Sequence, residues 1–122
     1  MTNIVMSIRP CWWAKILNQA KTLEIRKSAP KAPGPYRVYM YVSGTGKIFG
    51  YVDVDEVFHA TAKEIHEAGG SCLTMDQLNE YADGRMLRAW NIQRVVLLRK
   101  PVEYKGRPPM SWTYVPVLKK SA

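Results

Sequence analysis

The first feature with chemical meaning is one carboxylate among many bases. Residues 1–50 hold eight lysines and arginines and a single acid, Glu24. It lies in Lys21-Thr22-Leu23-Glu24-Ile25-Arg26. The alternation predicts a strand with Thr22, Glu24 and Arg26 on one face, Leu23 and Ile25 on the other, and Lys21 at the mouth. A lone carboxylate in such a field is held ionised by its neighbours. It can orient cationic side chains, accept hydrogen bonds from a base amino group, or take part in proton transfer. The plainer alternative is an exposed Glu24–Arg26 ion pair, worth about 0–1 kcal/mol.

The rest of the chain sorts its charge just as sharply. Residues 51–83 hold one lysine against eight acids, and residues 84–122 hold nine lysines and arginines against one acid, so two basic segments flank an acidic one within a net charge of +8. If the basic segments meet in space they attract polyanions, most commonly nucleic-acid phosphates. The plainer alternative is a charge that serves solubility alone.

Other chemistries find little support. There is no GxxxxGK(S/T) loop, no GxGxxG, no HExxH and no GxSxG. Ser43-Gly44-Thr45-Gly46-Lys47 lacks the spacing of a phosphate cradle and reads as a turn bearing a lysine. Cys11 and Cys72 share no metal-ligand spacing with each other or with His59 and His66, and the expectation is two reduced thiols and two surface histidines. No metal ligand set is assigned, although a divalent ion stays compatible with phosphate chemistry. No apolar run approaches the roughly 18–20 residues a membrane span needs, and no signal cleavage pattern follows the first residues. A cytoplasmic protein of one domain, residues 1–122, is expected.

These side chains need elements to position them. A strand is predicted from Asn3 to Ile8, and a helix from Pro10, well placed at a helix start, to about Ala20. The strand Thr22–Lys27 precedes a proline-rich loop, 28–35. Tyr36–Ser43 and Lys47–Phe58 form a hairpin about Gly44-Thr45-Gly46. Two short helices, Ala62–Ala68 and Met75–Ala82, the second capped by Thr74, form an acidic helical insertion at about 58–84. Strands at Ala89–Arg99, Pro101–Tyr104 and Trp112–Leu118 and a loose tail, Lys119–Ala122, complete the chain. The fold class is α+β: a small mixed β-barrel with about three short helices.

The order of these features resembles an ASCH domain of the PUA-like superfamily. Ser7-Ile8-Arg9-Pro10 precedes a helix ending Lys15-Ile16-Leu17; then come residues 19–26, a proline-rich loop, Tyr39-Met40-Tyr41-Val42-Ser43, and Gly46-Lys47-Ile48-Phe49-Gly50-Tyr51-Val52. The family signature GxKxxExR is matched by Lys21, Glu24 and Arg26, with Gln19 where glycine is usual. The resemblance covers about residues 5–57 and resumes at Trp90-Asn91-Ile92 and Pro109-Met110-Ser111-Trp112. It implies a PUA-like barrel whose cleft is lined by the signature, with a role in RNA or modified-nucleobase metabolism. One enzymatic branch hydrolyses acylated cytidine with lysine, threonine and glutamate; Lys21 matches that lysine, but Glu24 stands in the threonine's place. The other cleaves single-stranded RNA with tyrosine, lysine and serine, roles that Tyr41, Lys47 and Ser111 can fill. Lys47 would then neutralise charge on a scissile phosphate, Tyr41 would relay a proton, and Ser111 would hold a phosphate oxygen or metal-bound water. The plainer alternatives are packing, solvation and a turn.

Four tryptophans are many for 122 residues. Trp12 and Trp13 lie about 100° apart on a helix, so one faces the barrel and the other the cleft. Trp13, Trp90 and Trp112 are the candidates for stacking on bases, worth roughly 1–3 kcal/mol per base. Together with Arg9, Lys21, Thr22, Glu24 and Arg26 they form the expected surface for single-stranded RNA or a nucleotide. The leading expectation is a ribonuclease; the alternatives are a non-catalytic binding module and an amidohydrolase of an acylated cytidine.

Overall fold

The structure is a computed structural model and describes residues 1–115. Its elements are β1 (Thr2–Ile8), α1 (Pro10–Leu17), β2 (Leu23–Arg26), β3 (Tyr36–Val42), β4 (Lys47–Ala60), α2 (Ala62–Ala68), α3 (Met75–Ala82), β5 (Leu87–Glu103) and β6 (Trp112–Tyr114). The six strands form one sheet in the order β2-β5-β4-β3-β1-β6. β1 and β3 pair in parallel, from Thr2 opposite Tyr36 to Ile8 opposite Val42; the other pairs are antiparallel. The sheet curls into a half-barrel, and with the three helices the architecture is α+β.

Bulges at Met40/Tyr41 and along β4 bend the sheet, and strand alternation decides which side chains the curl encloses. Ile4, Met6 and Ile8 of β1, Val38, Met40 and Val42 of β3, and Val52 and Val54 of β4 point inward and bury together with Trp13, Ile16 and Trp90. Trp90 is fully buried; truncating such an aromatic to alanine costs about 3–5 kcal/mol. α1 crosses this concave side closely enough that a Cβ on Gly50 would meet the Trp13 ring at 3.0 Å and the Val96 carbonyl oxygen at 2.2 Å, so glycine is required where helix and sheet touch.

The two edge strands meet through side chains. Arg26 on β2 donates from Nη2 to the Ser7 carbonyl oxygen (2.8 Å) and from Nη1 to Ser111 Oγ (3.2 Å), and Trp112 Nε1 donates to Ser28 Oγ at 3.0 Å. Arg26 thus clasps the seam between β2 and the β1–β6 side.

The second core lies on the other face of β2 and β5. There Leu23, Ile25, Leu87 and Ala89 pack against Ile65 of α2 and Leu78 of α3. Both helices start with reciprocal capping boxes, Thr61 with Glu64 and Thr74 with Gln77, which satisfy two exposed backbone donors at each end.

The expected elements are present and, apart from shifts of one or two residues at strand ends, differ in three places. α1 ends at Leu17 rather than Ala20, because Gln19 adopts φ 66° as the chain turns toward β2. β5 runs unbroken through Pro101, where two strands were expected. The last strand is described only as Trp112–Tyr114; residues 116–122, with the rest of that expected strand and the expected tail, lie outside the described residues.

Candidate functional site

At the mouth of the half-barrel, β2, the β1–α1 junction, α3 and the segment before β6 enclose a cleft of about 420 Å³. Glu24 and Arg26 enter it from β2, Lys21 from the turn before β2, Arg9 and Trp12 from the start of α1, and Gln77 and Tyr81 from α3. Glu24 stands opposite Trp90 across the β2–β5 pair, on the inward face of the sheet.

Glu24 is 7% exposed. Its Oε1 accepts the Ile25 backbone N–H at 3.0 Å and lies 3.7 Å from Arg26 Nε; its Oε2 is buried and has no partner. A buried carboxylate oxygen without a donor is costly, and one on a cleft wall is a ready acceptor for a ligand's N–H. Lys21, 2% exposed, donates from Nζ to the Ser71 carbonyl oxygen and sits 5.1 Å from the centre of the Trp12 ring. Burial pulls the Lys21 ammonium below the ordinary lysine range, opposed by the negative charge of Glu24. Burial likewise pushes the Tyr81 phenol up from its ordinary value. The cleft therefore offers one anionic acceptor, a cationic wall, an aromatic face and a phenol.

No protein-family model matches the chain, and no curated protein matches it. Solved structures do. Crystal structures of ZmASCH from Zymomonas mobilis superpose with a TM-score of 0.82 at 18% identity, over 95% of this chain and 89% of that one. A variant of ZmASCH with a tyrosine changed to phenylalanine gives 0.82 at 17% identity, over 96% and 92%, and one with a serine changed to alanine gives 0.81 at 18% identity. The fold is that of an ASCH domain.

The ASCH fold brings together part of the expected set. Lys21, Glu24, Arg26 and Arg9 line one cleft, and Ser111 stands at the seam beside it, its Oγ accepting from Arg26. Thr22 does not share that cleft: it precedes β2 and lines a neighbouring groove. Tyr41 is directed away from the inward face and packs with Val5, Tyr39, Ile48 and Tyr104. Lys47 is exposed at the hairpin, opposite Val42 and Glu103. Neither lines the cleft: alternation along β3 turns Tyr41 outward while Met40 and Val42 face inward, and Lys47 stands in solvent at the hairpin turn.

The tryptophan assignments need correcting. The helix separates Trp12 from Trp13 as expected, but in the opposite sense: Trp13 is buried in the core and Trp12 lines the cleft. Trp90 is wholly enclosed, and the half-buried Trp112, which packs edge-on against it at 5.7 Å, is not among the residues that line the cleft. Sequence reasoning missed Trp12, Gln77, Tyr81 and Met110, all of which line the cleft. Gln77 and Tyr81 carried a signal, being four residues apart on a predicted helix. Among the described residues, no three His, Cys, Asp or Glu side chains gather to hold a metal ion.

Proposed function

We propose that the cleft binds a nucleotide unit of single-stranded RNA, or a free nucleotide, with the base edge held by Glu24 and the phosphates by Arg9 and Arg26. The observation that carries this reading is the unpartnered Glu24 Oε2 on the wall of a cleft whose other charged lining residues are Arg9, Lys21 and Arg26. A base supplies what that oxygen lacks, an N–H donor at its edge. The cations supply what a phosphate needs, and the Trp12 face can stack on the base. A cleft of about 420 Å³ suits a ligand of this size. Since Tyr41 and Lys47 stand outside the cleft, RNA cleavage by Tyr41, Lys47 and Ser111 draws no support from their placement, and binding is the reading we favour.

Anisotropy titration of a labelled single-stranded oligonucleotide tests it. Binding that weakens with salt, and at least about tenfold on Glu24→Gln, is expected, one good hydrogen bond to a charged group being worth about 1.5–3 kcal/mol. Binding indifferent to both salt and Glu24→Gln overturns it. The same mixtures, with and without a divalent metal, show on a denaturing gel whether the strand is cut.

One observation favours a second reading. A buried lysine whose ammonium is destabilised, in a cleft shared with a carboxylate, is an arrangement suited to proton transfer. Hydrolysis of an acylated cytidine would use it. Release of acetate from acetylated cytidine, abolished by Lys21→Met, is the expected result, and no release removes the reading.

A further inference from the structure

β5 is much longer than the strand beside it. β2 pairs with it only over Arg88–Asn91, with one further bond from the Ile92 N–H to the Thr22 carbonyl oxygen. Beyond that point, from Arg94 to Leu97, β5 pairs with β4 on one side and, among the described residues, with no strand on the other. The free stretch carries an unbroken aliphatic run, Val95-Val96-Leu97-Leu98, and Leu97 is 58% exposed. Cations bracket it: Arg94 before, Arg99 and Lys100 after, all exposed. Alongside, where β2 would continue if it were longer, lies a groove of about 380 Å³ walled by Ile16 and Gln19 on one side and Gln93 and Val95 on the other.

An unpaired edge presents N–H and C=O groups at ladder spacing and templates the addition of another strand. Folded sheets usually blunt such edges with bulges, prolines or inward charges. Here the register shifts nearest this stretch fall at Gln93 and between Leu97 and Val102, the second containing Pro101, so Arg94 to Leu97 between them stays regular and open. We propose that the β5 edge from Arg94 to Leu97 docks an extended acidic peptide segment, which pairs as an added strand and sets its carboxylates against Arg94, Arg99 and Lys100.

Charge complementarity selects this occupant. A second copy pairing edge to edge about Val96–Leu97 would place Arg94 of each chain opposite Arg99 of the other, and like charges directly opposite are destabilising. RNA would satisfy the cations but offers no alternating amide ladder to the strand edge. An extended peptide does both, and strand addition is an established mode of peptide capture.

Hydrogen exchange of the full chain tests the proposal, read at those amides of residues 94–97 that point away from β4. The probes are a short peptide alternating valine and glutamate, its valine–lysine counterpart, and a single-stranded oligonucleotide. The acidic peptide alone is expected to slow these amides by about tenfold or more. The exposed pair Arg99→Glu and Lys100→Glu is expected to abolish that effect and transfer it to the valine–lysine peptide. Equal protection by both peptides, protection by the oligonucleotide alone, protection that grows with protein concentration alone, amides already slow in dilute protein, or no change in any arm would each overturn it.

Discussion

Glu24 holds a charge in a buried place with half of its acceptor capacity unused. Such groups are retained for function at the expense of stability. Glu24→Gln keeps the acceptor for the Ile25 N–H and removes the charge. It is expected to leave the melting temperature unchanged or raise it by a few degrees, at roughly 4 °C per kcal/mol for a domain of this size, while RNA affinity falls. A matched loss of both would mean that Glu24 acts only as a structural ion pair. Lys21 is testable through pH. Its folded-state pKa is lowered from 10.5 by burial, so between that lowered value and 10.5 the unfolded chain binds more protons than the folded one, and stability rises with pH. Chemical denaturation of the native protein and of Lys21→Met is therefore expected to show a stability difference that moves in favour of the native protein as pH climbs toward 10.5. A difference flat across that range would show that Lys21 titrates as in solvent. At this scale the sequence was informative where alternation fixes relative direction, and Glu24 and Arg26 meet for that reason, while Lys21 joins them from the turn before β2. It was silent on absolute direction: a helix separates Trp12 from Trp13, and a strand separates Met40 from Tyr41, but only tertiary packing decides which member of each pair faces inward.

The signature strand and the acidic helices depend on one contact between elements. Both Thr22 N–H and Leu23 N–H donate to the Gly70 carbonyl oxygen, at 2.8 and 3.0 Å, and Lys21 Nζ donates to the next carbonyl, that of Ser71. The loop between α2 and α3 therefore holds the start of β2, and α3 in turn supplies Gln77 and Tyr81 to the cleft. Gly70 makes this possible: its φ is 87°, and a Cβ there would fall 2.2 Å from Thr22 Oγ1. Gly70→Ala is expected to destabilise the protein by about 2 kcal/mol or more, the left-handed backbone alone costing roughly 1–2, and to weaken ligand binding by displacing α3. Adding Thr22→Ala removes the steric part and leaves the backbone part, so the double variant is expected to recover only some of the loss. Full recovery, read from denaturant midpoints, would show that the backbone conformation is not strained. The elements themselves were legible, both acidic helices to the residue, because caps and apolar periodicity are local signals. Their pairing was not. The parallel β1–β3 register joins residues more than thirty positions apart, and the role of α3 as a cleft wall follows from its docking on β2 rather than from its own composition.

Across the whole molecule, the alternation of basic, acidic and basic segments becomes a local opposition of fields. The acidic segment does not stand apart from the basic cleft, since α3 forms one of its walls and carries exposed Asp76 and Glu80 beside Gln77 and Tyr81. On the proposed reading these carboxylates would repel the phosphates that Arg9 and Arg26 attract, so the acidic helices would temper affinity while shaping the site. Two charges at roughly 10 Å in water each contribute about 0.4 kcal/mol before screening. Asp76→Asn with Glu80→Gln is therefore expected to tighten single-stranded RNA binding by about threefold to fourfold at low ionic strength, where the Debye length is near 30 Å, and by little at 1 M salt, where it is about 3 Å. The slope of log affinity against log salt should stay near −0.7 per phosphate contacted in both proteins, because the contacts themselves are unchanged. A gain that persists undiminished at 1 M salt would show that Asp76 and Glu80 act by blocking the cleft sterically, and the field of the acidic helices would then have no part in setting how tightly this ASCH fold holds its ligand.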